Sequence, residues 1–161
     1  MNVEKPVRKR YSYTQEIKAG VETVFSLLCP VAEVKWVPGW NPLKVFTESG
    51  RIEPHCLFLT ENGPDNAIWL VTQYDPAKYF MEIYKIIPEN SVVRMEIKLM
   101  GGVEGQTLVI INYEITVTGH RGHNLLDECS TEWFETFMER WEGALNHYLL
   151  TGEKIEWLPE D

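Results

Sequence analysis

Residues 124–152 constrain the fold most strongly, because they predict one long amphipathic helix with an unusually aromatic face. Apolar side chains recur there every three or four residues, and glutamates occupy the opposite side. The apolar stripe comprises Trp133, Phe134, Phe137, Met138, Trp141, Ala144, Leu145, Tyr148 and Leu149. A stripe this wide requires a broad apolar partner surface. We therefore expect the helix to lie across a sheet and to enclose a pocket for a small molecule.

Alternating polar and apolar residues in the preceding part of the chain predict that sheet. Seven strands are expected, at residues 11–17, 43–48, 56–60, 67–74, 79–87, 92–100 and 106–118. Turn-forming stretches such as Asp75-Pro76 separate the later strands at hairpin-like lengths. Two short helices, at 21–28 and 31–36, follow the first strand, and Gly152 is placed to cap the long helix. The pattern predicts an α+β fold.

The composition excludes several classes of protein. The chain has 161 residues, which suits one domain over residues 1–161, and a formal net charge of −9. This charge opposes nonspecific nucleic-acid binding, which needs a basic surface. No apolar run approaches the ~20 residues of a membrane span, and residues 1–10 lack the apolar segment of a secretory signal. We expect no nucleic-acid partner, no stable membrane insertion and a cytoplasmic location.

The pattern within the strands predicts which side chains face the helix. Two alternating sets should face inward, namely Val93, Met95, Ile97 and Leu99, and Val109, Ile111, Tyr113, Ile115 and Val117. If the hairpins centred on Asp75-Pro76 and Pro88-Glu89 pair symmetrically, then Trp69, Glu82 and Tyr84 share the face of Met95. Lys85 then points outward. A register slip of one residue would turn Glu82 outward instead.

Three stretches of the chain resemble a known superfamily. They are Cys-Pro-Val-Ala-Glu-Val-Lys-Trp-Val-Pro-Gly-Trp at 29–40, Val-Thr-Gln-Tyr-Asp-Pro at 71–76 and Trp-Glu-Gly-Ala-Leu-Asn-His-Tyr-Leu at 141–149. Together with the order of elements, these stretches are similar to bacterial SRPBCC proteins of the START-like superfamily, which includes polyketide cyclase/dehydrase-like proteins. The resemblance implies a helix-grip fold, in which a curved antiparallel seven-stranded sheet wraps around the long C-terminal helix. It also implies a deep apolar cavity between sheet and helix, but it does not specify the chemistry.

Ten side chains are candidates for contacting a ligand in that cavity. They are Trp36, Trp40, Trp69, Glu82, Tyr84, Met95, Tyr113, Trp133, Phe137 and Trp141. Trp36 and Trp40 flank a Pro-Gly turn near one end of the cavity in the resembling fold, where they either gate the opening or anchor the turn in the core. A packed core would explain the others one by one, but their presence on both sheet and helix favours a cavity.

Glu82 is the best single candidate for a catalytic residue. A carboxylate in an apolar pocket would have a raised pKa, and it would exchange a proton with a ligand or bind a ligand hydroxyl or amine. His120 and His123 have no third metal ligand nearby in the sequence. The sequence contains no phosphate-loop or dinucleotide-binding motif. We therefore expect no metal and no cofactor.

Two classes of function fit these residues. The first is a binding protein, monomeric or homodimeric, that encloses a hydrophobic or amphipathic small molecule such as a lipid, a polyketide or an aromatic metabolite. The second is a cyclase- or dehydratase-type enzyme that acts on a polyketide-like substrate by general acid–base catalysis in the same cavity. Because the sequence offers one inward acid and no clear acid–base pair, binding is favoured.

Overall fold

The computed structural model describes residues 1–157 and shows a seven-stranded antiparallel sheet with a long C-terminal helix packed across one face. The strands are β1 (Val7–Ile17), β2 (Lys44–Phe46), β3 (Leu57–Asn62), β4 (Asp65–Asp75), β5 (Phe80–Ile87), β6 (Ser91–Gly101) and β7 (Thr107–Val117). The helices are α1 (Val21–Leu27), α2 (Leu125–Glu128) and α3 (Thr131–Thr151). This architecture confirms the predicted fold class. The predicted domain end at residue 161 lies outside the described residues.

The strand order places the first and last strands side by side. Across the sheet the order is β1-β7-β6-β5-β4-β3-β2, and every neighbouring pair is antiparallel. The edge strand β1 is fastened to α3 by hydrogen bonds, including one of 2.9 Å from Gln15 Nε2 to the Met138 carbonyl. Nearby, Asn146 Nδ2 donates to the Glu16 carbonyl at 3.0 Å. These bonds fix the helix against one edge of the sheet.

No helix within residues 1–157 combines the length and the hydropathy that a membrane span needs.

The long helix begins later than the sequence predicts. The chain makes a separate short turn of helix at α2, and α3 starts only after Ser130. The Ser130 side chain caps α3, because its hydroxyl accepts a 3.0 Å hydrogen bond from the Trp133 amide. The expected single helix over 124–152 is therefore wrong at its start. At its other end Gly152 adopts a left-handed φ of 75° and caps the helix as predicted.

The second short helix, predicted at residues 31–36, is a single 3₁₀ turn at Glu33–Lys35. Backbone hydrogen bonds such as that from the Val37 amide to the Glu33 carbonyl, at 2.8 Å, hold this turn, and two indole groups hold the segment as well. Trp36 Nε1 donates to the Leu27 carbonyl at 3.0 Å, and Trp40 Nε1 donates to the Pro30 carbonyl at 2.8 Å. A longer helix is opposed by Pro38, which disfavours helical geometry in the residue before it.

The predicted register of β5 is wrong on both of its sides, because Trp69 of β4 pairs with Lys85 and Met95 of β6 pairs with Ile83, whereas symmetric hairpins would place Glu82 opposite both. Between β4 and β5 a β-bulge at Thr72 inserts an extra residue, so that Val71 pairs with Ile83. Between β5 and β6 the hairpin is centred on Glu89, and Ile83 pairs with Met95. The side chains of Met81, Ile83 and Lys85 consequently face α3. Glu82, Tyr84 and the other alternate residues of β5 lie on the opposite face.

The inward sets predicted for β6 and β7 are confirmed by burial. The buried members are Val93, Met95, Leu99, Val109, Ile111 and Ile115. They form one hydrophobic core with the buried face of α3, which contributes Phe134, Met138, Ala144 and Leu145. The core therefore lies between the sheet and α3, and it is continuous with the buried part of α1.

Candidate ligand-binding cavity

A cavity of about 270 Å³ lies between the sheet, α3 and the segment that connects α1 to β2. Its lining is mostly apolar, with aromatic rings on several sides. The lining residues are Leu28, Pro30, Glu33, Val37, Pro38, Gly39, Trp40, Ile52, Phe58, Trp69, Met81, Ile83, Lys85, Met95, Ile97, Tyr113, Phe137, Trp141 and Trp157. Because these residues come from the sheet, the helix and the connecting segment, closure of the cavity depends on the whole fold.

The aromatic walls of the cavity are held by ring packing and by hydrogen bonds. Trp40 meets Trp69 edge to face with centroids 5.6 Å apart, and Trp69 stacks on Phe58 at 5.2 Å. On the opposite wall Phe137 and Trp141 lie 5.8 Å apart. The Trp69 indole N–H donates to Thr60 Oγ1 at 2.9 Å. With the N–H groups of Trp40 and Trp69 already bonded to the protein, their rings present apolar surface to the cavity.

The structure brings together six of the ten predicted ligand-contacting residues. Trp40, Trp69, Met95, Tyr113, Phe137 and Trp141 line the cavity. Trp36 does not line it, because it is 1% exposed and packs edge to face against Trp141. Trp133 also lies elsewhere; it is 42% exposed and stacks on Phe137. The contact of any of these residues with a ligand stays a prediction.

Glu82 lies on the sheet face opposite the cavity, which corrects its predicted position. The side chain is only 5% exposed, but it is surrounded by donors. Its carboxylate accepts hydrogen bonds from Thr72 Oγ1 at 2.6 Å, Arg94 Nε at 2.8 Å and Gln73 Nε2 at 3.3 Å. Burial raises the pKa of Glu82, but these donors outweigh it and hold the pKa below its ordinary value. The expected raised pKa is therefore wrong, and the residue forms a structural ion pair with Arg94. Tyr84, of the same parity, is absent from the cavity lining for the same reason.

Glu33 is an acidic residue of the cavity that sequence reasoning missed. It lies in the 3₁₀ turn of the connecting segment, and its side chain lines the cavity. Burial raises the pKa of Glu33 from 4.5 to about 8. Among the described residues no hydrogen bond or ion pair compensates the carboxylate, so the neutral acid is favoured at pH 7. Its only sequence signal was its place in the stretch 29–40, where a glutamate looks like an ordinary exposed helix residue.

Lys85 is a second missed residue, because the predicted register turned it outward. Its Nζ lies 5.0 Å from the centroid of the Trp69 ring, which stands directly opposite it on β4. Burial lowers the pKa of Lys85, and the charge of Cys129 partly opposes that change. The ammonium group is thus held at the cavity wall among aromatic side chains.

Tyr113 is the third titratable residue in the described lining of the cavity. Burial raises its pKa, and the charge of Glu33 raises it further. The phenol therefore stays neutral at physiological pH and offers a hydroxyl to the cavity. Within residues 1–157 no group of three or more His, Cys, Asp or Glu side chains is arranged to hold a metal ion. The site is best described as an apolar chamber with an acid, an amine and a phenol on its walls.

Comparison with solved structures identifies the fold. Truncated norcoclaurine synthase from Thalictrum flavum superposes with a TM-score of 0.66 at 11% identity, over 94% of this chain and 99% of that one. Ara h 8.0201 gives a TM-score of 0.65 at 15% identity, over 90% and 99% of the two chains. A Thermobifida fusca protein gives 0.65 at 13% identity, over 92% and 99%. The chain has the helix-grip fold of these proteins, which confirms the START-like resemblance at the level of fold.

Sequence comparison adds no narrower assignment. No family model matches the chain, and no curated protein matches it. At identities of 11–15% the structural likeness establishes the fold alone.

Proposed function

We propose that the protein binds a hydrophobic or amphipathic small molecule in the cavity between the sheet and α3. The observation that carries this proposal is an apolar chamber of about 270 Å³ with the rings of Trp40, Trp69, Phe137 and Trp141 on its walls. Binding would transfer apolar ligand surface out of water, which is favourable by about 25 cal/mol per Å² before entropy losses. A chamber slightly smaller than the roughly 300–1,000 Å³ that is usual for small-molecule sites suits a compact aromatic or polyketide-like compound better than a two-chain lipid.

A structural neighbour supports an aromatic ligand. Norcoclaurine synthase from Thalictrum flavum has been solved in complex with dopamine and hydroxybenzaldehyde, which are both small aromatic molecules. That protein superposes on this chain with a TM-score of 0.62 at 13% identity. The same fold can thus enclose single-ring compounds, and the ring-lined chamber found here offers a comparable environment.

A neutral fluorescent probe tests the proposal directly. N-phenyl-1-naphthylamine brightens in apolar surroundings, and we expect saturable binding with one site per chain. Ile97→Trp should fill part of the chamber and weaken that binding, because Ile97 lines it. Leu150→Trp is the matched control, since Leu150 is exposed on α3. Equal binding by both variants, each folded by circular dichroism, would count against the chamber as the binding site.

An enzymatic role is the second candidate, and Glu33 favours it. A carboxyl with a pKa of about 8 inside an apolar chamber is suited to proton exchange near neutral pH. Lys85 and Tyr113 supply further polar groups in the same chamber. These residues would support the acid–base chemistry of a cyclase or dehydratase, a role that the sequence had assigned to Glu82.

Deuterium exchange into 2-tetralone provides a test of acid–base catalysis without a known substrate. If Glu33 removes a proton next to the carbonyl, NMR will show protein-dependent exchange that Glu33→Gln abolishes. Glu82→Gln should leave the exchange unchanged, because Glu82 lies on the other sheet face. Exchange no faster than in buffer would argue against this role.

The cysteines support a cytoplasmic location for the protein. Cys29, Cys56 and Cys129 are all buried and unpaired. Free buried thiols are typical of reducing compartments. Fractionation of native cells would test the location, and recovery of the protein outside the cytoplasm would refute it.

A further inference from the structure

Lys85 places a positive charge at the wall of an apolar chamber. Its Nζ faces the Trp69 ring and the side chain lines the cavity. Among the described residues, no ion pair or hydrogen bond engages this ammonium. The thiol of Cys129 does not neutralise it, because burial raises the pKa of that thiol. Burial lowers the pKa of Lys85, and the position of Nζ 5.0 Å from the centroid of the Trp69 ring favours the ammonium form.

An unbalanced cation at an apolar wall costs free energy that a bound anion would recover. Removal of an ammonium from water is unfavourable unless an opposite charge or hydrogen-bond acceptors replace the lost solvent. The Trp69 ring replaces only part of that solvation, because a cation–π contact engages one side of the ammonium. The remaining N–H donors of the Lys85 ammonium are available to a ligand in the chamber.

The other polar groups of the chamber are donors as well. The phenol of Tyr113 makes no hydrogen bond to another described residue, and it remains protonated because burial raises its pKa. Glu33 is predominantly protonated at pH 7, since its pKa is about 8. Lys85, Tyr113 and neutral Glu33 therefore offer hydrogen atoms, and the complementary ligand group is an oxygen acceptor with negative charge.

We propose that the cavity selects a compact aromatic ligand that carries a carboxylate or a comparably acidic oxygen, with the anion against Lys85 and the rings against Trp69 and Trp141. This inference deepens the proposed binding function and rests on it. Lys85 sets the preference for charge, and the aromatic walls supply affinity that is independent of charge.

Two probes of the same shape separate the two contributions. 2-Naphthoate and 2-naphthamide differ mainly in charge, and each can be measured at pH 7 by displacement of N-phenyl-1-naphthylamine. We expect naphthoate to bind the wild-type protein about tenfold more tightly, which is the usual scale for one charged hydrogen bond. Lys85→Met should remove that preference and Lys85→Arg should keep it. Lys98→Met is the matched control, because Lys98 is exposed on the neighbouring strand β6.

The outcomes distinguish this inference from the function on which it rests. If 2-naphthamide binds and 2-naphthoate binds no more tightly, or if Lys85→Met still binds 2-naphthoate more tightly, the charge selection is refuted while the binding function stands. If neither 2-naphthamide nor 2-naphthoate changes the tryptophan fluorescence of the protein, both proposals are refuted. The comparison of the two probes on the wild-type chain decides the matter even if Lys85→Met fails to fold.

Discussion

The indole rings of Trp36 and Trp141 meet edge to face, with centroids 5.4 Å apart and planes at 87°. This contact joins the segment after α1 to the middle of α3. Trp36 is fully buried, whereas Trp141 shows part of its ring to the cavity. The Trp36 ring thus supports the Trp141 ring, and the position of this cavity wall depends on Trp36, which does not itself line the cavity.

Trp36→Ala should lower the free energy of unfolding by about 3–5 kcal/mol, the usual cost when a buried large aromatic side chain is removed. Trp36→Phe should cost less, because it keeps a ring and loses the hydrogen bond to the Leu27 carbonyl. Trp133→Ala is the control, since Trp133 is partly exposed on the same helix as Trp141, and we expect a change within about 1 kcal/mol. Urea denaturation measures all three. A similar cost for Trp36→Ala and Trp133→Ala would contradict the supporting role of Trp36.

The fold could be predicted from the sequence because its signals are long and redundant. The apolar stripe of α3 repeats over almost five turns, and the alternating sets of β6 and β7 extend over residues 93–99 and 109–117. A wrong assignment of one or two residues within such a long pattern does not change the predicted architecture. The start of α3 was missed because the Ser130 cap is a single polar side chain within an otherwise helical pattern.

The polar residues of the site could not be predicted, because they depend on register. One extra residue at Thr72 and a hairpin centred on Glu89 exchange the two faces of β5. That exchange removes Glu82 from the cavity and brings Lys85 into it. The prediction of the aromatic lining depended less on strand register, because most of these residues lie on elements whose buried faces were clear from the sequence pattern. Glu33 depended on the fold of an irregular segment, for which periodicity gives no information.

The ion pair of Glu82 should make stability depend on acid pH. Hydrogen bonds from Thr72 and Arg94 hold the pKa of Glu82 below 4.5 despite the opposing effect of burial. A lowered pKa contributes stability that is present above the ordinary value of 4.5 and is lost as the pH falls through the folded-state value. Glu82→Gln should therefore cost about 1–3 kcal/mol at pH 7 and progressively less below pH 4.5.

Urea denaturation between pH 7 and pH 3 measures this dependence. The control is Glu61→Gln, which changes an exposed glutamate on β3. A difference between wild type and Glu82→Gln that stays constant over this range would show that the charge of Glu82 is not the stabilising feature.

Two glycines should respond in opposite ways to replacement by alanine. A Cβ on Gly143, within α3, would meet no atom within 4 Å, so Gly143→Ala should stabilise the protein by about 0.5–1 kcal/mol through helix propensity. A Cβ on Gly119 would overlap the backbone carbonyl of Glu89, so Gly119→Ala should destabilise by about 1–3 kcal/mol. Thermal denaturation compares the two variants. Equal melting temperatures would refute the close approach of Gly119 to the hairpin at Glu89.

Glu33 should make the protein less stable as the pH rises. Its pKa is about 8 in the folded state because of burial, and the ordinary value is 4.5. Between these values the folded state holds a proton that the unfolded chain has released, so the free energy of unfolding falls as the pH increases from 4.5 to 8. Lys85 and Tyr113 are the other titratable groups in the described lining of the cavity, and both are retained in Glu33→Gln. The melting temperature of Glu33→Gln, relative to that of wild type, should therefore rise between pH 5 and pH 9.

The control is Glu22→Gln, which alters an exposed glutamate on α1 and should have the same pH dependence as wild type. Parallel curves for wild type and Glu33→Gln would mean that Glu33 is already ionised at neutral pH, and the chamber would then lack the neutral acid that the preference for an anionic ligand assumes.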